Sequence, residues 1–139
     1  LGVTKEEDLT HLCAECDAVS LHTPALPTTE KIIGAEQLQA MHDDAVFVNT
    51  SRGMCVDEAA LIAELQKGRL LAFIDVSNPE PAADDSPLRS LPNVVYTSHI
   101  SGGGPSRRMG RQAVDDIEAF INGGTPKMMV TEAMLERLA

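Results

Sequence analysis

Three residues far apart in the chain carry side chains suited to acid–base and anion-binding chemistry. They are Arg52 in Asn49-Thr50-Ser51-Arg52-Gly53, Glu80 in Asn78-Pro79-Glu80-Pro81, and His99 in Thr97-Ser98-His99-Ile100-Ser101. Arginine is permanently charged and presents a planar fork of donors that matches a carboxylate bidentately. Histidine near neutral pH gives and takes a proton within one cycle. A carboxylate beside it favours the imidazolium and fixes the ring orientation. Together they suit reduction of a 2-oxo acid: Arg52 on the carboxylate and keto oxygen, His99 protonating that oxygen, Glu80 supporting His99. Only a hydride donor is lacking. Each residue also has a plainer reading: Arg52 as a loop arginine paired with Asp57, Glu80 as an exposed loop carboxylate, His99 as a structural histidine.

Their joint placement depends on the elements around them. Each member follows a short apolar run that reads as a buried strand. The patterning predicts strands over 17–22, 45–49, 70–76 and 94–97. Helices are expected over 4–13, opened by a Thr4–Glu7 capping box, and over 35–41, with Leu38 and Met41 on one face. A third, over 58–67, is capped by Asp57 and stopped by Gly68, with Leu61, Ile62 and Leu65 inward. Residues 25–34 read as loop, Pro79, Pro81 and Pro87 keep the stretch after the third strand irregular, and 101–105 is a glycine-rich turn. A long amphipathic helix over 106–121 stops at Gly123-Gly124, and 132–138 is a short helical pattern. Strands alternating with helices predict an α/β fold, a parallel sheet covered on both faces, and the continuously apolar strands over 45–49 and 70–76 suit that burial. In such sheets ligands sit beyond the carboxyl ends of the strands, the edge to which Thr23, Arg52, residues 75–80 and His99 all belong.

Composition narrows the partners. A chain of 139 residues that is 43% hydrophobic is long and apolar enough for a globular core. A formal net charge of -10 argues against a nucleic-acid or anionic-membrane partner. Arg107, Arg108 and Arg111 form a local basic cluster whose helical spacing reads as a solvated face. No apolar run spans a bilayer and no basic-then-apolar leader opens the chain. Three cysteines without framework spacing imply reduced thiols and a cytoplasmic home. Cys13-Ala14-Glu15-Cys16 has the C-x-x-C spacing but falls at the C-terminal pole of its helix, where the dipole disfavours thiolate, and no further ligands suggest a metal site.

Asn49-Thr50-Ser51-Arg52-Gly53-Met54-Cys55-Val56-Asp57-Glu58-Ala59-Ala60-Leu61 resembles the signature of the D-isomer-specific 2-hydroxyacid dehydrogenases. Ile74-Asp75-Val76, Pro79-Glu80-Pro81, Ser86-Pro87-Leu88 and Pro92-Asn93-Val94 continue the likeness in order, and Leu21-His22-Thr23-Pro24 is similar to the family's cofactor-contact segment. The resemblance implies a Rossmann-type domain binding NAD, with NADP as the alternative, in an oxidoreductase acting on 2-hydroxy and 2-oxo acids. It further implies that Arg52, Glu80 and His99 are the catalytic set, and that Asp75 holds the nicotinamide carboxamide. Thr23, Pro24, Arg52, His99 and the main chain of Thr50, Ser51 and Gly102 would line the cofactor. A homodimeric parent protein is implied as well.

The chain departs from the family's pattern in places. Ser98 stands where proline is usual, Ser77 where an aromatic is usual, and Ser101-Gly102-Gly103-Gly104 replaces the usual Ala-Gly and downstream threonine. A G-x-G-x-x-G phosphate loop is absent, and Gly102-Gly103-Gly104-Pro105 has the wrong spacing to replace it. The chain therefore reads as a fragment: 1–124 as the C-terminal part of a doubly wound NAD(P)-binding domain, 125–139 as a tail returning toward a substrate domain. On this reading the fragment alone is inactive. The alternative is a non-catalytic, NAD(H)-sensing interaction module with the same fold.

Overall fold

A computed structural model describes residues 2–102 and 106–137, and the chain divides into two compact units, residues 1–101 and 102–139. The first contains α1 (Leu9–Glu15), β1 (Ala18–Leu21), α2 (Ala35–Ala40), β2 (Val46–Asn49), α3 (Glu58–Gln66), β3 (Leu71–Ile74) and β4 (Val94–Tyr96). Short 3-10 turns occupy Pro27–Thr29, Gly53–Cys55 and Pro87–Arg89. The strands form one parallel sheet in the order β1-β2-β3-β4, with Val19, Phe47, Ala72 and Val94 in one lateral row and Leu21, Asn49, Ile74 and Tyr96 in another. The α/β architecture expected from the alternation of elements is the one observed.

Strand alternation sorts the side chains. Val19, Leu21, Phe47, Ala72 and Ile74 point to one face and form the core with Cys13, Leu38, Leu61 and Leu65 of the helices. Leu71, Phe73 and Val95 point to the other and are about half exposed, at 46%, 47% and 52%. Within this unit, therefore, the sheet is covered on one face, although its apolar strands are equipped for cover on both.

The caps show where local chemistry wins. Asp57 accepts from the Ala60 amide at 3.2 Å and opens α3, while Gly68, at φ +77°, lets the chain leave it. The Thr4–Glu7 capping box does not form. Asp8 instead accepts from the amides of Thr10 (2.8 Å) and His11 (3.1 Å), so α1 begins at Leu9. A carboxylate directly at the cap satisfies two of the orphan N–H groups, which an upstream hydroxyl cannot reach from there. Cys16 is the C-cap of α1, so the C-x-x-C does sit at the unfavourable pole, and burial pushes the Cys13 thiol up.

One buried charge holds the helical layer together. Glu64 is 2% exposed and accepts from Lys67 Nζ at 2.6 Å and Arg69 Nε at 3.1 Å. Burial raises its pKa, but the two cationic donors outweigh that and leave it below its ordinary value. Arg69 also donates to the Leu38 and Met41 carbonyls at 2.9 and 2.6 Å, closing the C-terminus of α2.

The second unit contains α4 (Arg107–Ile121) and a 3-10 segment at Glu132–Arg137. Ser106 caps α4 through the Met109 amide at 3.1 Å, and Gly123, at φ +74°, follows its end. Arg107, Arg108 and Arg111 are exposed, as are the apolar Met109, Val114, Ile117 and Phe120 of the same helix. Residues 103–105 of the glycine-rich turn, and 138 at the end of the last helical pattern, lie outside the described residues. Among the described residues no helix is long and apolar enough to cross a membrane, and no three His, Cys, Asp or Glu residues are grouped to hold a metal.

Candidate active site

Parallel pairing brings the carboxyl ends of all four strands to one edge. Thr23 lies beyond β1, Thr50 to Arg52 beyond β2, Asp75 beyond β3 and His99 beyond β4. The turn after β2 is organised by Asn49, which is 1% exposed. Its Oδ1 accepts from the Ser51 amide at 3.0 Å and its Nδ2 donates to the Arg52 carbonyl at 3.1 Å. Ser51 Oγ donates to the Thr23 carbonyl, joining the first two loops. Gly53 joins the second and third: a Cβ there would lie 2.1 Å from the Ser77 carbonyl oxygen, so only glycine permits this approach.

Arg52 is exposed, donates to its neighbour's carbonyl, Ser51 O, at 2.8 Å, and has no carboxylate partner among the described residues. Asp57, the partner in the plainer reading, pairs instead with Lys31 at 3.1 Å and accepts the Ala60 amide; these bonds lower its pKa. Among the described residues, therefore, the Arg52 guanidinium does not pair with Asp57.

The structure brings Glu80 and His99 together directly. His99 Nδ1 is hydrogen-bonded to Glu80 Oε1 across 19 residues of sequence. Their side chains are 50% and 36% exposed, so the pair contributes little to stability in water and serves chiefly to orient the ring. With Nδ1 engaged, Nε2 is the nitrogen that remains for exchange with a ligand. His99 holds a left-handed backbone conformation, φ +55°, which a non-glycine residue adopts at some cost and which its surroundings must enforce.

Asp75 does the enforcing. Its backbone carbonyl accepts the His99 amide at 2.7 Å. Its carboxylate, 3% exposed, takes Thr97 Oγ1 and the Ile100 amide (2.9 Å) on one oxygen. The other oxygen takes the Ser101 amide (3.0 Å) and Ser101 Oγ (2.6 Å). Burial raises the carboxyl pKa, but the Ser101 and Thr97 hydroxyls and the Ile100 and Ser101 amides outweigh it. They hold the group well below the usual carboxylate range. The acceptor positions of this carboxylate are therefore filled by the loop that carries His99.

A cavity of about 190 Å³ opens beside these loops, lined by Phe73, Ile74 and Val95 with Thr50, Asp75, Thr97 and Ser101. An apolar wall with a few convergent polar groups suits a flat, mostly apolar ring. Thr23 Oγ1 is buried with no hydrogen-bond partner among the described residues, a condition that a ligand would relieve. The Pro24 carbonyl accepts Thr29 Oγ1 at 2.6 Å and the Ser51 amide serves the Asn49 turn, so both are already used within the protein. Gly102 belongs to the second unit. Sequence reasoning did not find the Ser101 and Tyr96 hydroxyls as parts of the site's framework. The signal available was the departure at 101, where serine replaces a side chain unable to donate.

A parallel α/β sheet whose candidate site lies beyond the carboxyl ends of its strands is a Rossmann-type arrangement. Residues 1–101 match the D-isomer-specific 2-hydroxyacid dehydrogenase NAD-binding domain, and the chain belongs to that family. It is 42% identical over 126 residues to glyoxylate/hydroxypyruvate reductase B of Escherichia fergusonii, covering 88% of this chain and 39% of that protein. It is 39% identical over 121 residues to glycerate dehydrogenase of Methylorubrum extorquens, covering 84% and 38%. The chain thus spans about two fifths of the length of these relatives. Among solved structures, a D-isomer-specific 2-hydroxyacid dehydrogenase from Xanthobacter autotrophicus in complex with NADPH superposes with a TM-score of 0.77 at 34% identity, covering 88% of this chain and 51% of that one. D-lactate dehydrogenase with NAD+ from Lactobacillus jensenii gives 0.77 at 33% identity, covering 90% and 42%.

Proposed function

We propose that the protein containing this chain transfers a hydride between NAD(P)H and a 2-oxo acid, yielding a D-2-hydroxy acid, and runs in both directions. The carrying observation is the His99–Glu80 pair on the same sheet edge as Arg52, a guanidinium without a carboxylate partner. Bound at this edge, the nicotinamide cofactor would supply the hydride. His99 then delivers a proton from Nε2 to the keto oxygen, or takes it back from the hydroxyl in the reverse direction. Glu80 holds Nδ1, which sets the ring orientation. Arg52 receives the substrate's carboxylate through its donor fork. The cavity wall of Phe73 and Val95 would take the nicotinamide ring, with Thr50 and Asp75 at its rim and the Thr23 hydroxyl toward the rest of the cofactor. Pro24 and Gly102 are further candidates for the cofactor's path. Because the Asp75 carboxylate is already engaged, a carboxamide held there would have to share or displace a loop hydroxyl.

Residues 125–139 are proposed to return toward a substrate domain, and the whole protein to be a cytoplasmic homodimer. The test is steady-state oxidation of NADH and NADPH by the full-length protein across a panel of 2-oxo acids. His99→Ala should lower kcat by about 10² to 10⁴, the range that positioned acid–base catalysis supplies. The isolated 139-residue chain should show no turnover. Retained turnover in His99→Ala would remove the role assigned to His99.

A further inference from the structure

We propose that Tyr96 is a positioning residue for the His99–Glu80 pair, acting by gripping the Glu80 loop on both sides of the glutamate. The inference rests on the dehydrogenase reading of that pair. The loop from Ser77 to Ala82 cannot hold itself in the ordinary way. Pro79 and Pro81 have no N–H, and the Asn78 amide is engaged by Glu58 Oε2 at 2.8 Å. The Tyr96 hydroxyl accepts the Ala82 amide at 3.0 Å and lies 3.3 Å from Ser77 Oγ. Ser77 and Ala82 are 4% and 2% exposed, so water does not replace these contacts. Arg89 completes the grip from outside, with its guanidinium 5.4 Å above the Tyr96 ring. Its Nη2 donates to the Ala82 carbonyl at 2.7 Å and its Nε to the Ala83 carbonyl at 3.0 Å. Both sides of the Ala82 residue's backbone are thereby held.

The geometry explains how two exposed residues keep a fixed partnership. Tyr96 ends β4, three residues before His99, while Ser77 and Ala82 flank Glu80. One phenol therefore ties the strand that presents the histidine to the loop that presents the carboxylate. A shift of this loop would carry Glu80 away from Nδ1 and leave the ring free to rotate.

The test uses the full-length protein with Tyr96→Phe, which keeps the ring and removes only the hydroxyl, alone and combined with Glu80→Gln. Tyr96→Phe should lower kcat about tenfold with the KM for the nicotinamide cofactor unchanged. In the Glu80→Gln background the same change should alter kcat less than about twofold, because the group it positions is already lost. Equal effects in both backgrounds would overturn the proposal. If Tyr96→Phe does not fold, Ser77→Ala takes its place in the same cycle, with the same expectation and the same overturning result. A second readout needs no turnover: the low-field proton NMR line of His99 Nδ1–H, identified by its loss in Glu80→Gln. That line should shift or broaden in Tyr96→Phe, or in Ser77→Ala if that replaces it, and an unchanged line overturns the proposal. A wild-type protein that turns over no acid would defeat the dehydrogenase reading, while the NMR line would still decide the role of Tyr96.

Discussion

Asparagine at position 75 tests how the His99 loop is held. The wild-type carboxylate accepts from Thr97 Oγ1 and the Ile100 amide on one oxygen, and from the Ser101 amide and Oγ on the other. An amide keeps one pair of contacts in either orientation. Its NH₂ then faces a hydroxyl, which can turn and accept, and a backbone N–H, which cannot. One buried donor left unpaired costs about 1–3 kcal/mol, and losing the charge from the remaining bonds weakens them further, so Asp75→Asn should destabilise by about 2–4 kcal/mol. Ser101→Ala, which removes one donor only, should cost about 1 kcal/mol. The assay is urea unfolding of the full-length protein at pH 7, with hydrogen exchange at the Ile100 and Ser101 amides. The pH dependence has a defined sign. Asp75 is depressed below the ordinary carboxylate range in the folded protein, whereas the unfolded group titrates at about 3.9. Its stabilisation is therefore complete above about pH 4 and is lost only as pH falls further, through the folded value. A loss under about 0.5 kcal/mol with both amides still protected would refute the reasoning. So would a gap between wild type and variant that already narrows between pH 7 and 5.

Four further substitutions probe the framework. Gly53→Ala places a methyl group 2.1 Å from the Ser77 carbonyl oxygen, a backbone atom that cannot swing aside. It should cost about 3 kcal/mol in urea unfolding, and an unchanged midpoint would deny the close approach of the two loops. Arg69→Met leaves Glu64 buried with Lys67 as its one cation and exposes the end of α2; a loss of about 3–5 kcal/mol is expected, and one below about 1 kcal/mol would show the charge to be better solvated than described. Asp8→Ala should lower stability by about 1 kcal/mol while Thr4→Ala leaves it unchanged, and the reverse order would restore the upstream cap.

Much of this protein was legible in one dimension because the signals are local. Continuous apolar runs marked β2 and β3, Asp57 and Gly68 bounded α3, and prolines kept the β3–β4 crossover irregular. These features depend on backbone sterics and hydrogen bonding within a few residues. The α1 cap was misjudged for the same reason: Thr4 and Asp8 both offer acceptors, and the choice between them depends on where the helix begins to pack.

The sequence by itself determined the strand–helix alternation, hence a parallel sheet, and hence the common edge on which Arg52, Glu80 and His99 must fall. It also carried the family's motifs in order. Only the tertiary structure decided which of those residues touch. It paired Glu80 with His99, left Arg52 free of Asp57, committed the Asp75 carboxylate to the His99 loop, and sent the Tyr96 hydroxyl to Ser77 and Ala82. Those contacts join segments 14 to 26 residues apart, and they require a specific loop shape. Side-chain hydrogen bonds are short and directional, so a change of an ångström in that shape makes or abolishes them, whereas hydrophobic patterning tolerates it.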